Sequence, residues 1–147
     1  METRDKLIEQ LNLLLADYQV YYQNLRGFHW NIQGKHFFEL HGKFEELYRD
    51  SAEKIDEVAE RILTIDGKPL HTYEDYLNSS DIKSAKDVYS AEGTVHHIVD
   101  GLSLLIAAEE KAKSEAEKVG DDATADLMTQ FVEQQEKTKW MFKAWLK

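Results

Sequence analysis

Two histidines and three carboxylates fall within one stretch of 32 residues: His29, His41, Glu45, Asp56 and Glu60. Imidazole and carboxylate donors, in a chain without cysteine, suit a borderline divalent ion such as Fe(II) or Mn(II) rather than a soft one. His41 and Glu45 are four residues apart, as are Asp56 and Glu60, so on a helix each pair projects from one face. At 3.6 residues per turn the four positions share an arc of about 100°, yet the two pairs stand roughly 22 Å apart along the axis. Metal–ligand bonds are only about 2 Å long, so neither pair completes the other's site within one chain. A second copy of the helix, antiparallel about a two-fold axis, brings His41 and Glu45 against the partner's carboxylates and forms two equivalent sites. The sequence therefore predicts an oligomer whose metal centre is shared between chains. A plainer reading is a solvated face, the commonest role of charged residues at this spacing.

These residues need a long helix to carry them, and apolar residues from Phe37 through Phe44, Leu47, Ile55, Val58 and Ile62 recur at threes and fours without a proline. That pattern predicts a helix from about His36 to Ile65, ended by Asp66-Gly67-Lys68-Pro69. Before it, Leu7, Leu11, Leu14, Leu15, Tyr18, Tyr22 and Leu25 outline a helix capped by Thr3 and reaching about Ile32, with Gln33-Gly34-Lys35 as the break. A long connection from Leu70 to about Ser90 permits a short helix at Tyr73–Leu77, and Asn78-Ser79-Ser80-Asp81 reads as a turn. A third long helix spans about Ala91 to Val119 and stops at Gly120. The fourth opens at Asp121-Asp122 and runs to about Leu146, with Leu127, Met128, Phe131, Trp140, Phe142 and Trp145 as its apolar contacts. Short turns make each pair antiparallel. The expected fold is all-α: a four-helix bundle of the ferritin-like kind, with a short extra helix in the long crossover between helices two and three.

At 147 residues the chain is expected to form one domain with a substantial core. A single proline agrees with long uninterrupted helices. The start lacks the basic and apolar regions of a secretory signal, and no apolar run approaches the ~20 residues that cross a bilayer, which predicts a soluble cytoplasmic protein without a membrane partner. Acidic residues outnumber basic ones 28 to 18, a net charge of −10. Such a surface repels phosphate backbones, and no basic arm is evident, so nucleic acid is an unfavoured partner. Lys111, Lys113 and Lys118 interleave with Glu109, Glu110, Glu115 and Glu117 as a solvated face. Negative potential instead concentrates metal cations.

The runs Phe28-His29-Trp30-Asn31-Ile32-Gln33-Gly34, Phe37 to His41 and Asp56-Glu57-Val58-Ala59-Glu60-Arg61-Ile62 closely resemble the Dps family, the mini-ferritins named for DNA protection during starvation. The resemblance extends over essentially the whole chain, including Gly120 to Leu127. It implies a hollow homo-dodecamer that oxidises Fe(II), with hydrogen peroxide preferred to dioxygen, and stores ferric mineral inside. It implies ferroxidase centres at two-fold interfaces, with His29, His41 and Glu45 from one subunit and Asp56 and Glu60 from its neighbour. Iron is the only cofactor implied. Family members commonly carry aspartate where Glu45 stands, so the second metal position is expected to differ in geometry. Trp30 resembles the family's site tryptophan, an electron donor and radical quencher, although interface packing is an equally ordinary role.

The resemblance also implies that Asp121, Asp122 and Asp126 line three-fold pores through which iron passes. Caps and helix-dipole partners are the alternative for aspartates so placed. Glu92, His96 and His97 suggest another metal pair, but their apolar setting more often means one partly buried and one surface histidine. His36 and His71 lie near helix ends without obvious partners. Two rival functions remain open at this level: a DNA-shielding shell, and a structural shell that never handles metal.

Overall fold

The computed structural model describes the backbone of residues 2–147 and the side chains of residues 4–147. The cap expected at Thr3 lies outside the described side chains. Five helices follow in order: α1 (Glu2–Asn31), α2 (Phe37–Thr64), α3 (Tyr73–Ser79), α4 (Ala91–Lys118) and α5 (Asp122–Leu146). No strand occurs among the described residues. The long helices match the expected ones to within a residue or two. The short one runs further than expected, because Asn78 and Ser79 complete its last turn and the chain bends only at Ser80.

Local chemistry sets the ends. Ser90 Oγ accepts from Gly93 N to cap α4, Thr72 does the same for α3 through Asp75 N, and Asp121 caps α5 through Thr124 N. At the end of α2, Gly67 N reaches back to Ile62 O at 2.8 Å, the six-to-one bond of a Schellman turn. The left-handed residue there is Asp66, at φ 68°, not the glycine. Gly67 is required for a different reason: a Cβ would sit 2.9 Å from Ile62 Cγ2 and from Ile8 Cγ2, where α1 closes over the turn. The end of α4 closes the same way, with Asp121 N on Ala116 O and Gly120 taking φ 71°.

α1 packs antiparallel to α2 and to α4, and α4 antiparallel to α5. α2 and α4 therefore run in the same direction, and the crossover traverses the length of the bundle to connect them, as in ferritin-like bundles. Three polar side chains of α1 hold that crossover. Asn12 bonds Lys68 O and Leu70 N, Asp17 accepts from Ser80 Oγ and Asp81 N, and Asn24 bonds Lys83 O and Ala85 N. Burial pushes the Asp17 carboxyl upward, and the bonds from Asp81 and Ser80 only partly offset it. No helix among the described residues is long and apolar enough to cross a membrane.

The interior holds Leu7, Leu11, Leu14, Phe44, Ile62, Ile98, Leu105 and Met128, all without solvent exposure. Two expectations fail. Trp140, expected inside, is 64% exposed, because the inward side of α5 is taken by Phe131, Gln135 and Phe142. Glu109, expected on a solvated face, is fully buried. Its Oε2 accepts from the Tyr18 hydroxyl, which in turn accepts from Gln135 Nε2, so three helices meet on one polar chain. Among the described residues, Glu109 Oε1, Gln135 Oε1 and Tyr21 OH find no hydrogen-bond partner. Nearby, Lys54 is 4% exposed and donates to Asp50 at 2.5 Å and Gln134 at 2.9 Å over the Phe131 ring.

Burial pushes the Glu109 carboxyl from 4.5 up to about 8. A carboxyl in that setting is held neutral by desolvation. The folded chain keeps a proton that the unfolded chain releases, so stability falls as pH rises from 4.5 to about 8. The expected slope from this group is at most ~1.4 kcal/mol per pH unit. Glu109→Gln is expected to remove that component, so that the variant gains on the parent as pH rises through the window. Denaturation curves at pH 5, 6.5 and 8 check this; parallel pH profiles would mean that Glu109 is already ionised in the fold.

Candidate metal centre

His29 lies in the last turn of α1 and His41 in the second turn of α2, facing each other across the hairpin. Their rings stack with centroids 3.8 Å apart and planes 12° from parallel. Each Nδ1 sits 2.6 Å from the other residue's backbone carbonyl. A carbonyl oxygen only accepts, so both Nδ1 atoms carry the proton and both Nε2 atoms present a lone pair. That is the arrangement by which a metal-ligating imidazole is oriented and its tautomer set. Tyr48 meets His29 edge-on at 5.4 Å and Phe37 stacks on His41 at 4.8 Å, so neither ring is free to rotate.

The stacking also limits what the pair can bind. Imidazole lone pairs lie in the ring plane, and a nitrogen–metal bond is about 2.1 Å. Near-parallel planes this far apart cannot both aim at one ion, so the two histidines address neighbouring positions. Glu45 stands beside them, with Oε1 3.8 Å from His29 Nε2. Its other oxygen is occupied: Arg49 Nε donates to Oε2 at 3.0 Å, and the guanidinium terminal nitrogen is 2.9 Å away.

Asp56 and Glu60 lie exposed further along α2 and do not join this group. Among the described residues, no three His, Cys, Asp or Glu side chains come together to hold a metal ion. One chain thus pairs His29 with His41 and sets Glu45 Oε1 near His29 Nε2, short of a metal-holding group of three, and leaves Asp56 and Glu60 exposed on the same helix. Trp30 is 59% exposed, with the Arg26 guanidinium 5.7 Å from its ring, and Phe38 is 87% exposed. Both apolar rings flank the histidines in sequence and lack cover from their own chain.

The three aspartates at the start of α5 separate. Asp121 caps the helix, accepts from Thr124 N and Thr124 Oγ1, and pairs with Arg61 at 3.0 Å. Burial pushes its carboxyl upward, but the Thr124 hydroxyl and amide and the Arg61 guanidinium outweigh this and hold it below its usual range. Asp122 and Asp126 are exposed. His96 and His97 are both exposed, contrary to the expected inner and outer pair, because Val95 and Ile98 take the inward positions. His36 does have partners: Glu39 at 2.9 Å and the edge of Trp145. Arg49 and Tyr48 were missed by sequence reasoning. Arg49 had a signal, its place one turn beyond Glu45, whereas Tyr48 had none beyond its aromatic character.

A ferritin-like domain family matches residues 8–147. A DNA protection during starvation protein of Porphyromonas gingivalis is 45% identical over 95% of this chain and 87% of its own length. The chain belongs to the Dps family. A second relative of that name, DNA protection during starvation protein 2 of Bacillus anthracis, is 42% identical over 96% of this chain and 97% of its own. The crystal structure of a Dps protein from Vibrio cholerae O1, described as a member of a superfamily of ferritin-like diiron-carboxylate proteins, superposes with a TM-score of 0.97 at 47% identity. It covers 99% of this chain and 92% of that one. The Dps protein of Bacillus brevis also reaches 0.97, at 36% identity over 100% and 99% of the two chains. The bundle with its crossover helix is therefore the Dps fold.

Within this Dps fold the roles of the α5 aspartates can be separated by stability. Asp121→Ala removes a cap and the Arg61 pair together, and is expected to cost about 1–2 kcal/mol. Asp122→Ala and Asp126→Ala, on exposed carboxylates, are expected to stay within ~0.5 kcal/mol of the parent. Thermal or denaturant unfolding of the three variants checks this, and equal losses would contradict the separation.

Proposed function

We propose that this Dps-family chain is a ferroxidase and iron store. It oxidises Fe(II), with hydrogen peroxide as preferred oxidant, at centres completed by two copies of the chain, and keeps the ferric product as mineral inside a closed homo-oligomer of twelve. The observation that carries this reading is the reciprocal His29–His41 bonding. It leaves two Nε2 lone pairs, in fixed orientation, beside one carboxylate, which is a donor set for Fe(II) that its own chain does not complete.

Asp56 and Glu60, exposed on the same face of α2, are the complement, and a two-fold axis across α2 supplies them twice over. Glu45, Asp56 and Glu60 would offset most of the charge of bound Fe(II), and His29 and His41 would hold the two positions apart. Two Fe(II) ions give one electron each, peroxide accepts both, its O–O bond breaks, and two protons complete two water molecules. Pairing the electrons in this way releases no hydroxyl radical. Trp30, exposed next to His29, is placed to supply an electron when only one iron is present. Asp122 and Asp126 are the free carboxylates for a cation passage, while Asp121 is committed to Arg61.

The relatives' names speak of DNA protection. For this chain a net charge of −10 opposes direct contact with a phosphate backbone, so protection by removing iron and peroxide is the consistent form.

Mixed assemblies test the shared centre. His41→Ala chains alone, and Asp56→Ala chains alone, are expected to oxidise Fe(II) with peroxide no faster than buffer. Assembled together at random, half the two-fold pairs are hybrids with one intact centre, so about a quarter of the parent activity returns. Activity is read from ferric absorbance, and iron analysis of the sized particle reports storage. Hybrids that assemble but stay inactive would remove the cross-chain arrangement, and parent protein that loses its iron as precipitate would remove the storage role.

A further inference from the structure

We infer that Arg49 sets how many metal ions the centre holds tightly, by restricting Glu45 to a single free carboxylate oxygen. The inference rests on the shared centre proposed above and concerns only this chain's own residues. Among the described residues, Arg49 is the one cation paired with any of the candidate ligands. Both of its contacts, Nε at 3.0 Å and the terminal nitrogen at 2.9 Å, fall on Glu45 Oε2, leaving Oε1 as the oxygen nearer His29 Nε2.

The arrangement follows from sequence geometry. Arg49 is one helical turn beyond Glu45, the spacing at which a carboxylate and a guanidinium meet on a helix surface. A carboxylate serves two ions when each oxygen takes one, or holds a single ion through both. With Oε2 engaged by a guanidinium, Glu45 can do neither without displacing Arg49. Arginine stays charged at every working pH, so the competition is permanent. A second divalent ion at Glu45 therefore meets both a lost hydrogen-bonded pair and a fixed positive charge, while the first ion, served by Oε1 and a histidine, does not. Arg49 is 70% exposed and Glu45 39% in the isolated chain. Their pairing strengthens where the interface covers them and excludes water.

Zn(II) titration of the assembled protein by calorimetry tests this without any redox step. Asp56→Ala protein serves as the blank for adventitious carboxylate sites. The parent is expected to take one tight Zn(II) per centre, with a second at least about tenfold weaker. In Arg49→Gln the second step is expected to tighten by about tenfold. Arg49→Lys, which keeps the charge, is expected to retain the weak second step. An Arg49→Gln protein with an unchanged second step, or a parent that binds two ions equally, overturns the inference while leaving the shared centre intact. A parent that binds no more Zn(II) than the blank overturns the shared centre and this inference together. The Arg49 side chain is largely exposed and its polar contacts are with Glu45, so the variants are expected to assemble, which sizing checks directly.

Discussion

Everything at the candidate centre depends on the closeness of the α1–α2 turn. Only residues 32–36 separate the two helices, so the last turn of α1 and the first turns of α2 are pressed against each other. Phe28 packs on Phe44 below that turn, and Gln33 N is tied to Tyr89 O beside it. Within this clamp His29 and His41, twelve residues apart, are opposite one another and each lies within 2.6 Å of the other's carbonyl. The His29 carbonyl belongs to the last turn of α1, where backbone oxygens lack an intrahelical donor, whereas the His41 carbonyl lies within α2 and takes the imidazole as a further donor. A longer loop would let the helices splay, and the tautomer that exposes both Nε2 lone pairs would no longer be imposed.

The second organising element is polar and sits deep in the bundle. Glu109, Tyr18 and Gln135 join α4, α1 and α5 through hydrogen bonds, and Lys54 of α2 lies close enough to act on Glu109 electrostatically. An apolar core of this size tolerates sliding between helices, whereas a buried hydrogen-bonded chain has one register. The cost is a carboxyl held neutral well above its ordinary range. Asn12, Asp17 and Asn24 do the corresponding work outside the core, where each satisfies crossover backbone that α1 would otherwise cover without a partner.

Much of the bundle could be read from the chain. Gly120 and the Asp66-Gly67-Lys68-Pro69 stop mark helix ends because turn geometry is local, and Asp121 marks a start for the same reason. The candidate ligands were also legible, since imidazole and carboxylate at a four-residue spacing are a property of residue type and helix pitch. Trp140 was misplaced because Phe131, Gln135 and Phe142 fill the inward side of α5, and Glu109 because its side of α4 is buried. On a helix that packs against more than one neighbour, the buried arc is wider than an apolar stripe, and a polar residue enters it when a partner such as Tyr18 stands opposite. Nothing in the order of residues on α4 announces a hydroxyl on α1.

The sequence by itself determined the helices, their stops, the kinds of ligand available and the fact that His41–Glu45 and Asp56–Glu60 cannot meet in one chain, because these follow from a fixed rise per residue. Only the tertiary structure decided which ring nitrogens face outward, that Glu45 spends one oxygen on Arg49, that Asp121 belongs to Arg61 while Asp122 and Asp126 stay free, and that a glutamate sits in the core. Each of those depends on which side chain a second helix places within hydrogen-bonding distance, and such distances arise from packing between segments far apart in the chain.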